Sequence, residues 1–375
     1  MKKITILMLH LQHGGIEKQT ITLANELCKH YDVEMICTYS MKTVPAYPVD
    51  QRVKIRYLMD DTPNREEIKA AIGSKNPLSI LKQGCKAAKI LYLKKALMVR
   101  AIKALDCDYV LSTRLEFAQM LTDHAPKGIV TMTQEHLHDG SDKYIARAQK
   151  AFAGLNYLLV LCDWSRENFT RWLSDNKTIK IVQIPNILES ILAESTALTG
   201  NRLVSAGRLH PVKNFEALID VFALVRKEIP DATLTLVGGG DEYARLHAQA
   251  KALGLENAVT FTGMVSADAV RQHMLASDLY VMTSHTECFP MVLLEASSVG
   301  LPLVAFDVPV GPRSIIQNGE NGYLADYENK KQMAERIIGM LQDRALLARL
   351  GSTAKQSAQH YTADAIMPMW LDLFR

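Results

Sequence analysis

Short apolar segments alternate with segments of helical pattern along this chain, and the alternation runs through two successive series. The first series opens with an apolar segment at 4–9, the glycine pair Gly14-Gly15 and a helical pattern over 16–30. The second series opens with an apolar segment at 202–205, again followed by a loop and a helical pattern. A strand, a glycine turn and a helix form half of a Rossmann unit, in which glycine lets a ligand approach the backbone closely. The pattern therefore predicts two doubly wound α/β domains that face a central cleft.

The length of 375 residues also favours two domains, because single cores rarely grow beyond about 250–300 residues. We predict a first domain at 1–188 and a second at 199–362, joined by a linker at 188–201 that has little strand character. The tail at 363–375 is predicted to be a helix that packs back on the first domain. The remaining predicted strands lie at 33–38, 53–58, 109–112, 128–133, 157–162, 179–184, 232–237, 259–261, 279–282, 303–306 and 321–324.

Composition excludes several classes of protein. The hydrophobic share of 48% and the charged share of 22% are typical of a soluble globular protein. A net charge of +3 is too small to indicate a nucleic-acid partner. The six cysteines form no CxxC pair and no metal-binding spacing, which favours reduced, buried thiols in the cytoplasm. The N-terminal stretch 1–10 is only briefly apolar, includes His10 and has no cleavage site, so we interpret it as a strand rather than a signal peptide.

Residues 65–103 form a basic amphipathic stretch that is expected to contain two or more helices, broken at Gly73, Pro77 and Gly84. Two interpretations stay open. Such a helix can lie on an anionic membrane surface, here the inner face of the plasma membrane. Alternatively, the lysines face water and the leucines fill the core. The basic residues that alternate with apolar ones are Lys69, Lys75, Lys82, Lys86, Lys89, Lys94, Lys95, Arg100 and Lys103.

The stretch 284–295 is predicted to be a loop and helix that follow a buried strand. Pro290 stands where the helix would begin, and the backbone around Phe289 and Met291 would offer N–H groups without intrahelical partners. Such a helix N-terminus favours an anion. Glu287 on the loop and Glu295 about a turn into the helix could hold sugar hydroxyls. Two glutamates near one helix are also common where no site exists, so the stretch alone does not decide.

Two histidines follow the predicted strand at 128–133. In open α/β sheets the ligand lies beyond the carboxyl ends of the strands, which is where His136 and His138 are expected. A purely structural role for at least one of them is the alternative.

Several motifs occur in a fixed order, and together they resemble the family-four retaining glycosyltransferases of the GT-B fold. The resemblance is close over the C-terminal half, and in the N-terminal half it covers the glycine turn and the general layout. The motifs are Gly14-Gly15-Ile16-Glu17-Lys18, Gly207-Arg208-Leu209 with Lys213-Asn214, Leu236-Val237-Gly238-Gly239-Gly240-Asp241, Phe261-Thr262-Gly263, Glu287 with Glu295, and Asn321-Gly322-Tyr323.

The resemblance implies a role for each matching residue. Arg208 and Lys213 match the basic pair that holds the donor diphosphate, and two cations on one loop could neutralise a leaving diphosphate. Glu295 matches the carboxylate that binds the ribose, and Glu287 the one that holds the donor sugar. The other implied donor contacts are the amide of Gly15 to the phosphates, the backbone of Val265 to the base, His136 near the sugar, and the helix start at Phe289, Pro290 and Met291.

The implied reaction moves a sugar from a nucleotide-sugar donor, a UDP-sugar, to a hydroxyl with retained configuration, without a metal or another cofactor. The acceptor would be a saccharide, a lipid-linked saccharide or a protein, in the synthesis of bacterial cell-surface polysaccharide or glycolipid. One alternative is a UDP-sugar epimerase of the same fold. The other is a non-catalytic partner subunit, against which the presence of Arg208, Lys213 and Glu287 argues.

Overall fold

The computed structural model describes residues 1–60, 62–136 and 140–375, so that His138 lies outside the described residues. The chain divides into two compact units. The first consists of Met1–Val160, Arg166–Gln183 and Phe374, and the second of Leu161–Ser165, Ile184–Leu373 and Arg375.

The first unit is built on a parallel sheet of seven strands in the order β3-β2-β1-β4-β5-β6-β7. Ile4, Ile6 and Leu7 in the first strand are fully buried, as expected of a parallel strand that is covered on both faces. The strands are β1 (Lys3–Met8), β2 (Asp32–Tyr39), β3 (Lys54–Met59), β4 (Tyr109–Ser112), β5 (Val130–Gln134), β6 (Tyr157–Val160) and β7 (Lys180–Gln183). The helices are α1 (Gly15–Leu27), α2 (Arg65–Gly73), α3 (Pro77–Lys103), α4 (Leu115–His124), α5 (Asp142–Phe152) and α6 (Asp163–Trp172), whose first three residues belong to the second unit.

The second unit is built on a parallel sheet of six strands in the order β10-β9-β8-β11-β12-β13. Its strands are β8 (Arg202–Ala206), β9 (Thr233–Val237), β10 (Val259–Phe261), β11 (Leu279–Met282), β12 (Leu303–Asp307) and β13 (Gly322–Asp326). Its helices are α7 (Phe215–Glu228), α8 (Tyr243–Ala252), α9 (Ala267–Leu275), α10 (Met291–Ser298), α11 (Lys330–Gln342), α12 (Arg344–Ala358) and α13 (Ala363–Leu373). Short 3-10 turns occur at Pro211–Lys213, Pro312–Ser314 and Gln359–Tyr361.

Each sheet has one point at which the strand order reverses, between β1 and β4 in the first unit and between β8 and β11 in the second. Ligands of open α/β sheets bind at such points, beyond the carboxyl ends of the strands. Gly14-Gly15 follow β1, whereas Arg208 follows β8 and Glu287 follows β11. The topology therefore places predicted site residues at the switch point of each sheet.

The prediction of two doubly wound α/β domains is confirmed, but two predicted helical segments differ in the structure. Gly84 does not break α3, because a glycine costs a helix only about 1 kcal/mol relative to alanine and good helix formers surround it. The pattern of residues 328–350 predicts a continuous helix, but the structure divides it at Asp343, whose side chain accepts a hydrogen bond from the Leu346 backbone N–H and caps α12.

The predicted C-terminal helix is present as α13, which belongs to the second unit. Phe374 belongs to the first unit, where its ring lies 4.8 Å from the ring of Tyr109 and its carbonyl accepts a hydrogen bond from the Tyr109 hydroxyl at 2.7 Å. The packing of the helix itself on the first domain stays a prediction, and so do the domain limits at 188 and 199.

Candidate functional site

Glu287 lies on the loop between β11 and α10, and two side chains fix its carboxylate. Lys213 Nζ lies 2.5 Å from Glu287 Oε1, and Ser284 Oγ donates a hydrogen bond of 2.8 Å to the same oxygen. The Glu287 side chain is only 12% exposed. Within the described part of the chain, Oε2 has no hydrogen-bond partner, so this oxygen is the one that can accept a ligand hydroxyl.

The loop after β8 holds Lys213 against this carboxylate. Asn214 adopts the left-handed conformation (φ 51°) and caps α7 with its side chain, which ends the loop sharply. Thr283 Oγ1 donates to the Asn214 carbonyl at 2.9 Å, and the His285 N–H donates to the Val212 carbonyl at 2.8 Å. These bonds join the loops after β8 and β11, so the Lys213–Glu287 distance is set by backbone contacts as well as by the ion pair.

Arg208 follows β8 on the same loop, and its side chain is exposed. It forms no ion pair or hydrogen bond with any residue that the structure describes, so its full charge is available to an anion.

The glycine turn that follows β9 packs closely against the loop that carries Arg208. A Cβ on Gly238 would lie 2.1 Å from the Gly207 carbonyl oxygen, and one on Gly240 would lie 2.3 Å from that of Leu209. Only glycine permits this approach of two backbones, which gives Gly238 and Gly240 a structural reason that the sequence pattern did not supply.

Glu295 lies in the second turn of α10 and is half-buried. Pro290 is the N-cap of this helix and Met291 its first residue, one position after the predicted start. Phe289 is buried, with its ring 5.7 Å from that of Tyr361. The other predicted residue of this unit, Val265, is half-buried and packs on the core below α10. The second unit thus brings together Lys213, Glu287 and the start of α10; the donor contacts assigned to these residues stay predictions.

The first unit carries a polar cluster at its own switch point. Glu17 in α1 is buried, and its Oε1 lies 2.8 Å from Arg114 Nη2 and 3.8 Å from His10 Nδ1. A Cβ on Gly14 would lie 2.1 Å from Glu17 Oε2, whereas a Cβ on Gly15 would meet nothing within 4 Å. Gly14 therefore packs on the carboxylate and Gly15 faces open space. Arg114 was not singled out by the sequence, although its place directly after the β4 strand was the available signal.

His136 follows β5, and its environment keeps it uncharged. Its Nε2 atom is shielded from solvent and has no hydrogen-bond partner within the described residues. Burial, with a smaller contribution from the charge of Arg114, lowers the pKa of His136 to about 4. Burial also lowers the pKa of His10, and Arg114 acts in the same direction while Glu17 opposes it. At neutral pH the His136 side chain therefore carries no charge, but it can still donate and accept hydrogen bonds.

Replacing His136 by asparagine is expected to flatten the dependence of stability on pH. Between pH 6.5 and about 4 the histidine of the unfolded chain takes up a proton while the folded one does not, so acid lowers the wild-type free energy of unfolding. The loss should approach about 2–3 kcal/mol at pH 4. Urea unfolding at pH 7, 5.5 and 4.5 measures it, with His30→Asn, at an exposed position, as the control. Equal slopes for the wild type and His136→Asn would contradict the assignment.

The described ranges 1–60, 62–136 and 140–375 contain neither a candidate metal site nor a candidate membrane-spanning helix. No three His, Cys, Asp or Glu side chains cluster there as ligands of a metal ion would. No helix there combines the length and the apolar character needed to cross a bilayer. The expectation that no metal is required stays a prediction.

Comparisons with known proteins found similarities that include most of the second unit. Residues 190–357 match the model of a protein family described as glycosyl transferases group 1. An exopolysaccharide phosphotransferase of Streptomyces coelicolor is 29% identical over 377 residues, which cover 96% of this chain but 39% of that protein. The amylovoran biosynthesis glycosyltransferase AmsD of Erwinia amylovora is 27% identical over 370 residues, which cover 96% of this chain and 95% of that one.

Solved structures show the same fold over the whole length. A mutant of Staphylococcus aureus TarM, crystallised with Fondaparinux, alpha-GlcNAc-glycerol and UDP, matches with a TM-score of 0.79. The match covers 100% of both chains at 16% sequence identity, so it shows the fold alone. The GT-B fold predicted from the sequence is confirmed.

Proposed function

We propose that this chain, a glycosyltransferase of the GT-B fold, transfers a sugar from a UDP-sugar to a hydroxyl acceptor in the synthesis of cell-surface polysaccharide. The observation that carries the proposal is the Lys213–Glu287 pair, which lies at the switch point of a group 1 glycosyltransferase domain. UDP in the TarM crystals and the polysaccharide pathway named for AmsD support the choice of donor and pathway. The acceptor is a saccharide, a lipid-linked saccharide or a protein.

The residues of the second unit divide the work of donor recognition. Arg208 and Lys213 stabilise the negative charge that develops on the leaving diphosphate, aided by the positive end of α10. Glu287 accepts a hydrogen bond from a sugar hydroxyl at Oε2, and Glu295 accepts one from the ribose. Val265 contacts the base through its backbone. In the first unit, the Gly15 amide and the neutral His136 are proposed to contact the phosphates and the sugar, respectively.

We propose in addition that the transfer retains the configuration of the sugar and requires no metal ion. Arg208 and Lys213 are two cations on one loop, and this is the charge that a divalent metal would otherwise supply to a diphosphate. Turnover should therefore be the same with and without EDTA, and proton NMR of the product should show the anomeric configuration of the donor. Loss of turnover in EDTA that added Mg²⁺ restores, or an inverted product, would contradict this part.

A panel of nucleotide sugars tests the proposed function. Stabilisation against heat is expected with UDP-sugars, followed by release of UDP when candidate acceptors are added. An isomerised sugar nucleotide without UDP release would indicate the epimerase, and stabilisation without any turnover would indicate the non-catalytic subunit. A response to GDP-sugars alone would overturn the choice of nucleotide.

We also propose that the outer face of α3 binds an anionic membrane surface, the first of the two interpretations of residues 65–103. Leu78, Leu81 and Tyr92 are 76%, 65% and 73% exposed. They recur at helical spacing with the exposed Lys82 and Lys89 between them, while Ile90, Met98 and Ile102 on the opposite side fill the core. An apolar stripe edged with lysines is complementary to acyl chains below anionic headgroups. The surface would place the enzyme beside lipid-linked acceptors on the inner leaflet.

Reversing two charges on this face should release the protein from vesicles. Each lysine near an anionic surface contributes about 1 kcal/mol, so Lys82→Glu with Lys89→Glu should weaken binding at least about tenfold. The control makes the same change at exposed lysines of the second unit, Lys227→Glu with Lys251→Glu. Co-sedimentation with vesicles containing phosphatidylglycerol, at low and high salt, measures the binding. Equal recovery of all three proteins, or no preference for anionic vesicles, would overturn the proposal.

A further inference from the structure

Gly311 lies against the loop that carries Glu287. It follows β12, with a φ of 95°, and belongs to the same unit as Glu287. A Cβ built on Gly311 would lie 2.9 Å from Pro290 Cδ, 3.0 Å from Glu287 Cβ and 3.1 Å from the Glu287 carbonyl oxygen. These atoms belong to a proline ring and to the backbone or first side-chain carbon, so none can move away without moving the loop. The backbone at Gly311 is thus in direct contact with both ends of the Glu287–Pro290 segment.

The connection that contains Gly311 is anchored on several sides. Val308 and Val310 are buried, and Arg313 Nη2 pairs with Asp307 Oδ2 at 2.8 Å, which closes the two ends of the connection. The Ser314 N–H donates to the Gly311 carbonyl at 3.0 Å. The Tyr361 hydroxyl donates to the Ser314 carbonyl at 2.8 Å. A segment with these contacts is a rigid support, so the loop that touches it takes its position from it.

We infer that Gly311 is a positioning residue for Glu287: the backbone of the connection after β12 fixes where the Glu287 carboxylate meets the donor sugar. Lys213 and Ser284 bind Oε1 of the Glu287 side chain, and the backbone of Gly311 lies against the main chain of Glu287. The inference rests on the proposed function, because it takes Glu287 as the sugar contact. It adds a residue that does not itself touch the donor.

If Gly311 positions Glu287, a change at Gly311 should weaken binding of the donor sugar more than binding of the nucleotide. Displacing Glu287 leaves Arg208 and Glu295 in place, so the affinity for UDP should fall much less than the affinity for the UDP-sugar. The additional affinity of the UDP-sugar over UDP should be lost, and turnover should fall about tenfold to hundredfold, because misplacement by about 1 Å can cost that much.

Gly311→Ala tests this, with Gly319→Ala as the matched control. Gly319 lies further along the same connection with a φ of 85°, but a Cβ there would meet nothing within 4 Å. Both positions have a positive φ that strains alanine, and only at Gly311 does the added Cβ also push on Glu287 and Pro290. Calorimetric titration with UDP and with the UDP-sugar gives the two affinities, and UDP release gives the turnover. Both unfolding temperatures should fall, and that of Gly311→Ala should fall further, because its Cβ also meets the Glu287 loop.

A second pair of variants covers the case in which Gly311→Ala does not fold. Arg313→Gln removes the exposed ion pair that closes the connection, and Arg271→Gln removes exposed ion pairs in α9 as a control. Arg313→Gln should reduce the affinity gained from the sugar at least about threefold without a change in UDP affinity, whereas Arg271→Gln should not. If each variant behaves like its control, the inference is wrong. A wild-type protein that binds no UDP-sugar would instead overturn the proposed function itself.

Discussion

Turnover is expected to fall by about two to three orders of magnitude when either Arg208 or Lys213 is replaced by alanine. In the proposed reaction each cation stabilises charge that develops on the leaving diphosphate, and removing one donor to such an anion costs about 3–4 kcal/mol. Arg208 has no partner in the described part of the chain, so its loss removes charge and nothing else. Steady-state UDP release measures the effect, with Lys227→Ala at an exposed position as the control.

The two variants should differ in a second respect. Lys213→Ala also leaves the 12% exposed Glu287 carboxylate without its cation, so it should weaken sugar recognition in addition to turnover. A double-mutant cycle between Lys213→Ala and Glu287→Gln should therefore be non-additive, whereas Arg208→Ala with Glu287→Gln should be nearly additive. Turnover near the wild-type level for both single variants would show that the diphosphate is held elsewhere.

The two glutamates are expected to fail in different ways. Glu287→Gln should lower turnover at least about hundredfold and leave UDP affinity within about threefold, because its Oε2 is proposed to contact the sugar that reacts. Glu295→Gln should weaken UDP binding about tenfold or more, because it removes a charged acceptor from the ribose hydroxyls. Calorimetry with UDP alone separates the two, with Glu228→Gln as the exposed control. A large loss for Glu287→Gln and none for Glu295→Gln would reverse the assignment.

The fold was predictable because the strands are short apolar runs, and in a parallel sheet such runs are buried on both faces. The segment Lys3–Met8 shows this, with five of its six residues buried. Helix ends were less predictable, since they depend on single side chains. Asp343 ends one helix and caps the next, and Gly84 has no effect because the residues around it favour helix.

The site was predictable where one loop carries its own chemistry, as at 207–214 and 284–295. It was not predictable where two distant loops meet. Glu17 and Arg114 are 97 residues apart and pair only because β1 and β4 are neighbours in the sheet. Gly311 and Glu287 lie on different connections. The contact between them depends on the positive φ of Gly311, which cannot be predicted from the neighbouring residues. Which distant residues come into contact depends on the register of the sheets and on the paths of the loops.

Transfer of a labelled sugar would show the proposed reaction itself. The protein is incubated with UDP-sugars that carry the label in the sugar, together with lipid-linked and free saccharides from bacterial membranes. We expect label to move from the nucleotide into an acceptor, with one UDP released for each sugar transferred, and we expect Arg208→Ala and Glu287→Gln each to lower the transfer at least about hundredfold. Label that stays on the nucleotide in an isomerised sugar, or transfer that both variants retain, would contradict it.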